Sequence, residues 1–254
     1  MIPINGPILI TNDDGYNAPG ILVLKKIAKT FSNNVWVIAP KTNQSAKSHS
    51  ITINRYMLVK KNNNKEYSVE GTPVDCIILG LKKIISKENF PSLLLSGVND
   101  GVNMGLDSYY SGTISAAREG CLNGIISVAI SIENNKKKKN WNIIINFLPK
   151  ILKKILETPV FDNKYYNINF PNISIKKIKG VKLVKPGLRK PGTVILAQNK
   201  INNKYYKIPS ARKMHKSAKK NIDEYELNKG FITISIHKLE SFENLEEDIT
   251  DNYI

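Results

Sequence analysis

Short apolar runs alternate with longer amphipathic stretches along the first half of the chain, and that alternation predicts its fold. Ile8-Leu9-Ile10-Thr11 reads as a buried strand, and Pro19, suited to the first turn of a helix, opens a helix through about Phe31. Val35-Trp36-Val37-Ile38-Ala39 is a second apolar run, stopped by Pro40. Ile51 to Val59 and Tyr67 to Val69 predict a hairpin with Asn62-Asn63-Asn64 at its turn. Pro73 introduces a helix from Val74 to about Ser86. Leu93-Leu94-Leu95-Ser96 and Ile126 to Ile132 are further strands, with a helix from Ile114 to Asn123 between them. Strands that are apolar throughout, separated by helices, predict a parallel sheet covered on both faces.

The clearest break in composition is Lys136 to Lys139, expected to be an exposed loop, and a helix from about Trp141 to Leu156 follows it. After Tyr165 the chain is more strand-like and richer in Pro and Gly, including Pro186-Gly187 and Pro191-Gly192. This part is expected to be an extension that pairs with another subunit, with a last strand at Phe231 to Ile236. One domain over 1–254 is expected, with an α/β core over about 1–170 and the extension plus a final core strand over about 171–254.

Composition narrows the function classes. At 41% hydrophobic and 23% charged, the 254 residues match an ordinary globular chain. No apolar stretch approaches the roughly 20 residues that span a bilayer. The opening Met1-Ile2-Pro3-Ile4-Asn5-Gly6 lacks the regions of a signal peptide, so a cytoplasmic location is expected and no membrane partner. Cys76 and Cys121 form no CxxC pattern, and His49, His215 and His237 no HxxxH pair, which argues against a disulfide framework or a zinc site. The net charge of +17 invites a nucleic-acid reading. The lysines are dispersed, however, at Lys60-Lys61, Lys136 to Lys139, Lys153-Lys154, Lys176-Lys177 and Lys219-Lys220, which fits solvated basic faces better than a groove.

Candidate chemistry sits in the loops after the strands. Ligands of open α/β sheets bind beyond the carboxyl ends of the strands. Thr11-Asn12-Asp13-Asp14-Gly15 follows the first strand, Ala39-Pro40-Lys41-Thr42-Asn43-Gln44-Ser45 the second, and Ser96-Gly97-Val98-Asn99-Asp100-Gly101 the Leu93 strand. Parallel strands would bring these loops to one edge. Two adjacent carboxylates are costly there unless solvent, hydrogen bonds or a cation compensates them. Donors that offer only oxygen suit magnesium, manganese or calcium. Tyr110-Ser111-Gly112-Thr113, leading into a helix, would cradle an anion with hydroxyls and free N–H groups. Each piece alone is ordinary turn or cap chemistry. Their order and their positions after strands outweigh that reading.

These segments resemble the SurE family, the survival-protein phosphatases also described as 5'-nucleotidases. The matching stretches are ILITNDDGYNAPGI (8–21), APKTNQSAKSHSIT (39–52), GTPVDC (71–76), SGVNDGVNMG (96–105), YYSGTISAAREG (109–120) and NINFP (167–171), with a fainter match at GFITIS (230–235). The resemblance implies that Asp13, Asp14, Ser45 and Asn99 bind one divalent ion, Mg2+ or Mn2+. It implies a Rossmann-like three-layer α/β/α sandwich with a C-terminal β-rich extension that builds homodimers or homotetramers. It implies hydrolysis of nucleoside 5'-monophosphates, with broad acceptance extending to 3'-nucleotides and short polyphosphate. Ser111, Gly112 and Thr113 match the family's phosphate-side segment, and Asn103 a second polar position.

The chain also departs from the family. Ala46 stands where many relatives have glycine, the region from Val184 to Ile208 matches poorly, Tyr205-Tyr206 replaces an aromatic pair containing Trp, and Arg212 to Lys220 is unusually basic. The expected mechanism is in-line attack on phosphorus by a metal-activated water, with Asp13 and Asp14 as the catalytic pair. The competing class is a basic nucleic-acid-binding protein without catalysis, whose binding would survive EDTA.

Overall fold

The apolar runs become the central strands of one sheet. The computed structural model of the protein describes residues 6–135, 137–158, 163–189, 195–200, 203–208 and 219–239. Lys136, Pro191-Gly192 and the basic stretch 212–218 lie outside the described residues. The strands are β1 (Ile8–Thr11), β2 (Val35–Pro40), β3 (Val59–Asn63), β4 (Glu66–Val69), β5 (Leu93–Asp100), β6 (Ile126–Ile132), β7 (Lys164–Phe170), β8 (Val181–Leu183), β9 (Leu196–Lys200), β10 (Asn203–Lys207) and β11 (Ile232–Lys238). The helices are α1 (Pro19–Ala28), α2 (Pro73–Leu79), α3 (Gly112–Leu122), α4 (Trp141–Glu157) and α5 (Asp223–Asn228).

Among the described residues nine strands form the main sheet in the order β3-β4-β2-β1-β5-β6-β7-β11-β8, and β9 pairs with β10 in a separate antiparallel ribbon. From β4 to β7 neighbouring strands are parallel, β3 runs against β4 and β11 against β7, and β8 lies parallel to β11. Strand alternation divides the core. Ile8 and Ile10 pack with Ile21, Leu24 and Ile27 of α1 and with Ile144, Leu148 and Leu152 of α4. Leu9 points to the opposite face, with Trp36, Ile38, Cys76, Ile77 of α2 and Ala116 of α3. This is the expected three-layer α/β/α sandwich.

Local chemistry explains where the helices begin. Thr72 accepts the Asp75 N–H at 3.1 Å while Asp75 Oδ2 accepts the Thr72 N–H at 2.8 Å, a reciprocal cap on α2. Ser111 Oγ accepts the Ile114 N–H at 3.1 Å and caps α3. The helix α4 keeps Pro149 in its interior and buries Ile143, Ile144, Leu148, Ile151, Leu152 and Ile155 along one side, so apolar burial outweighs the lost backbone bond.

Two expectations are corrected. The segment from Ile51 does not enter a strand until Val59. Its polar groups are taken by the start of α2 instead: Thr52 donates through N–H and Oγ1 to both Asp75 oxygens, at 2.9 and 2.7 Å, and Thr72 Oγ1 donates to the Ser50 carbonyl at 2.7 Å. The helix expected through Ser86 ends its α-helical part at Leu79 and continues as a wider π turn over Gly80–Ile84, closed by Ile85 N–H to Gly80 O at 2.9 Å. Gly80 sits so close to Ile38 that a Cβ there would lie 2.9 Å from its Cδ1.

Candidate active site

The sheet reverses its winding between β1 and β5. From β1 the chain crosses to β2 on one side through α1, whereas α2 returns it from β4 to β5 on the other. At such a reversal, ligands of open α/β sheets bind beyond the carboxyl ends of the two strands. Register places Thr11 beside Ser96, so the loops that begin at Asn12 and Gly97 leave the sheet side by side.

Asn12 shapes the first loop through a two-way bond with Gly15: its Nδ2 donates to Gly15 O at 2.9 Å and its Oδ1 accepts Gly15 N–H at 3.1 Å. Asp13 is thereby turned inward and is only 4% exposed. Its Oδ1 accepts the Thr113 hydroxyl at 2.5 Å, and the Thr113 backbone also contributes a hydrogen bond. Gly112 packs on it so closely that a Cβ would lie 2.9 Å from the Asp13 Cβ. The carboxylate therefore lies at the N-terminal end of α3, where the helix favours negative charge. Asp14 is less buried, and its Oδ2 accepts the Asp100 N–H at 2.9 Å.

Burial governs both acids. It pushes Asp13 up from 3.8 to about 7, with the Asp14 charge adding to the rise and the Thr113 hydroxyl opposing it. Burial also raises Asp14, countered by the Asp100 N–H, while the Asp100 charge raises it further and Lys139 lowers it.

The other expected residues arrive by different routes. The loop after β2 is joined to the first by Gln44 N–H donating to the Asp13 carbonyl at 2.7 Å. That bond brings the neighbouring Ser45 to the same edge; Ser45 itself is exposed, with its N–H on Asn43 Oδ1 at 2.9 Å. Ala46, next along, has a φ of 60°, and Ser48 one of 53°. Ser48 is fixed by Oγ donating to the Tyr109 carbonyl at 2.6 Å, just before the start of α3. Asn99 commits its Nδ2 to the Gly101 carbonyl at 2.6 Å, which leaves its Oδ1 as the atom able to act as a ligand.

Asn103 is hydrogen-bonded to β6 and β7. Its carbonyl accepts Nδ2 of both Asn167 and Asn169, at 2.9 and 3.0 Å, its N–H donates to Asn169 Oδ1 at 2.8 Å, and its Nδ2 donates to Ser131 at 3.0 Å. The Ser111 hydroxyl caps α3 and the Thr113 hydroxyl orients Asp13, so both have partners before any anion arrives.

Sequence reasoning missed three contributors. The run Lys136 to Lys139 predicts an exposed loop, yet the Lys139 side chain is 12% exposed and its Nζ lies 2.6 Å from Asp100 Oδ1. Its signal was hidden inside a lysine run. Asn167 and Asn169 occupy alternate positions of an otherwise apolar strand, a period-2 polar signal that marks one face of β7 as carrying a buried network.

The residues present fit a hard divalent ion. Two carboxylates, one raised to about 7 by its surroundings, are tied by backbone hydrogen bonds to the loops that carry Asn99 and Ser45. All these donors are oxygen, and a cation would relieve the charge that burial penalises. Among the described residues no three of His, Cys, Asp and Glu cluster as metal ligands, so neutral oxygens would have to complete the shell.

Comparisons with known proteins agree with this architecture. The family described as Survival protein SurE matches residues 8–193. A protein of Paramagnetospirillum magneticum named 5'-nucleotidase SurE is 38% identical over 230 residues, covering 90% of this chain and 88% of that protein. One of the same name from Rhodopseudomonas palustris is 41% identical over 188 residues, 73% of each chain. The crystal structure of the SurE protein from Aquifex aeolicus superposes with a TM-score of 0.82 at 33% identity, covering 93% of this chain and 94% of that one. With its strand order, its loops and these likenesses in accord, the chain belongs to the SurE family.

Proposed function

We propose that this protein is a metal-dependent phosphomonoesterase that hydrolyses nucleoside 5'-monophosphates to nucleoside and phosphate. The observation that carries this reading is the carboxylate pair after β1, with Asp13 buried against Thr113 at the start of α3 and the more open Asp14 held by the Asp100 N–H. Relatives that match most of the chain carry the name 5'-nucleotidase, which supplies the substrate class.

Asp13, Asp14, Ser45 and Asn99 would hold one Mg2+ or Mn2+. When bound, such an ion polarises a phosphoryl oxygen and acidifies water. The chain's own groups do the rest. The Thr113 hydroxyl and the Asp100 N–H fix the two carboxylates. Asp14, the more open of the pair, orients the attacking water in line with the ester bond and takes its proton. Attack forms the new P–O bond, the ester P–O bond breaks, and that proton ends on the departing ribose oxygen. The N-terminal end of α3 favours the negative charge on the phosphoryl oxygens.

Broad acceptance, including 3'-nucleotides and short polyphosphate, belongs to the same proposal, as does assembly into homodimers or homotetramers. The exposed Ile195, Tyr205, Tyr206 and Ile208 in and beside the β9–β10 ribbon support self-association. The test is phosphate release from a panel of nucleoside monophosphates with Mn2+, Mg2+ or EDTA. Metal-dependent release that falls at least about 100-fold in Asp14→Asn is expected. Release unaffected by both EDTA and this substitution would refute the reading.

A further inference from the structure

The Asp13–Asp14 centre has a third carboxylate at its rim and one lysine tied to that carboxylate. The Asp100 backbone N–H holds Asp14 at 2.9 Å, while the Asp100 side chain carries Lys139 at 2.6 Å. Lys139 is not a loose surface group. Its side chain is 12% exposed against 49% for Asp100, and the chain on either side of it is built in. The Asn140 N–H donates to Asn172 Oδ1 at 3.0 Å, Asn140 Nδ2 donates to the Ile173 carbonyl at 3.0 Å, and Asn172 Nδ2 donates to Asn135 Oδ1 at 2.9 Å. The start of α4 thus delivers one fixed positive charge to the edge of the sheet where β1 and β5 end.

We propose that Lys139 is a positioning residue that sets the charge of the site, dividing its affinity between a divalent cation and a phosphate dianion. The inference rests on the metal-centre reading above. With Asp13, Asp14 and Asp100 ionised and Lys139 present, the cluster carries two net negative charges, which one divalent cation neutralises. A phosphate dianion then approaches a neutral centre. Without Lys139 a third negative charge stands beside Asp14, so the cation is held more strongly and the dianion is repelled. Without the Asp100 charge the lysine is unpaired, and both effects reverse. An ordinary surface ion pair makes neither prediction, because its loss would leave ligand affinities unchanged.

The experiment measures Mn2+ binding to metal-free protein by calorimetry, inhibition by inorganic phosphate, and KM and kcat for AMP. It compares wild type with Lys139→Met, Asp100→Asn and the double variant, with circular dichroism to check folding. Lys139→Met should tighten Mn2+ binding about 3- to 10-fold and raise both KM and the phosphate inhibition constant by a similar factor. Asp100→Asn should weaken Mn2+ binding about as much, and the double variant should return to within about 2-fold of wild type. These differences should shrink as salt is raised. Lys139→Met binding Mn2+ more weakly than, or equally to, wild type would overturn the inference, as would a double variant no nearer wild type than either single one. Wild-type protein that takes up no Mn2+ would overturn the metal-centre reading and this inference together. Wild-type uptake that Lys139→Met fails to strengthen overturns this inference alone.

Discussion

Asp13 should make the metal-free protein less stable than it would be without that charge. The folded state raises this carboxyl from 3.8 to about 7, chiefly by burial and next by the Asp14 charge. Between those two pH values the folded chain binds a proton there that the unfolded chain does not. Stability therefore falls as pH rises through this window and levels off above about 7. At about 1.4 kcal/mol per pH unit, the full span is worth roughly 4 kcal/mol. Asp13→Asn removes the charge and keeps an oxygen that can accept the Thr113 hydroxyl.

In EDTA at pH 8 the variant should be more stable than wild type by about 2 to 4 kcal/mol, or roughly 4 to 15 °C in Tm for a chain of this size. The gain should vanish near pH 4. Urea titrations of both proteins from pH 4 to 8 measure the difference, in which the titration of other groups largely cancels. Saturating Mn2+ should reverse the order at pH 8, because only the wild type then gains the full binding energy. An Asp13→Asn protein that is no more stable at pH 8 in EDTA, or whose advantage is the same at pH 4, would refute the claim that burial of this charge is unfavourable.

Other outcomes follow from single contacts. Ala46 has a left-handed φ of 60° beside Ser45, so Ala46→Gly should leave activity within about 2-fold and raise stability by up to about 1 kcal/mol in urea titration. Asn169→Ala removes two of the bonds that fix the Asn103 backbone; it should destabilise the fold by about 2 kcal/mol in urea and raise KM for AMP more than it lowers kcat. Burial, aided by the Arg118 charge, lowers His237 from 6.5 to about 4, so the unfolded chain binds a proton there first. Stability from this group is complete above about pH 6.5 and is lost as pH falls toward 4; His237→Gln should remove roughly 3 kcal/mol of that dependence.

Much of this architecture was legible in the sequence because burial on both faces leaves a strong signature. The runs at Ile8, Val35 and Ile126 became β1, β2 and β6 at nearly their expected bounds, whereas the Leu93 run, expected to end at Ser96, extends to Asp100 as β5. The segment from Ile51 mimics a strand through its spaced apolar residues, yet Ile51, Ile53, Tyr56 and Leu58 are all exposed. What decides that segment is Asp75, twenty-odd residues away, whose carboxylate takes the Thr52 donors. The π turn after Leu79 depends on the approach of Gly80 to Ile38, a contact made between elements. The strand β5 runs on to Asp100 only because its register with β6 resumes after an irregularity, at Asn99 beside Ser131.

The same distinction separates the proposed ligands from their supports. A group proposed to present oxygen to a cation has few chemical options, so Asp13, Asp14 and Asn99 stand out as polar residues that follow the apolar runs at Ile8 and Leu93. A group that supports them need only supply one charge or one hydrogen bond from whatever element packs nearby. Thr113 reaches Asp13 across 100 positions of sequence, Asp100 reaches Asp14 across 86, and Asn169 reaches Asn103 across 66. Lys139 comes from the entry of a helix on the far side of β6. None of these pairings has a spacing that a linear pattern reveals, because each follows from strand order rather than from chain order. The electrostatic balance of the site therefore belongs to the tertiary fold, and substitutions far along the chain from Asp13 should change how strongly the proposed centre holds a cation.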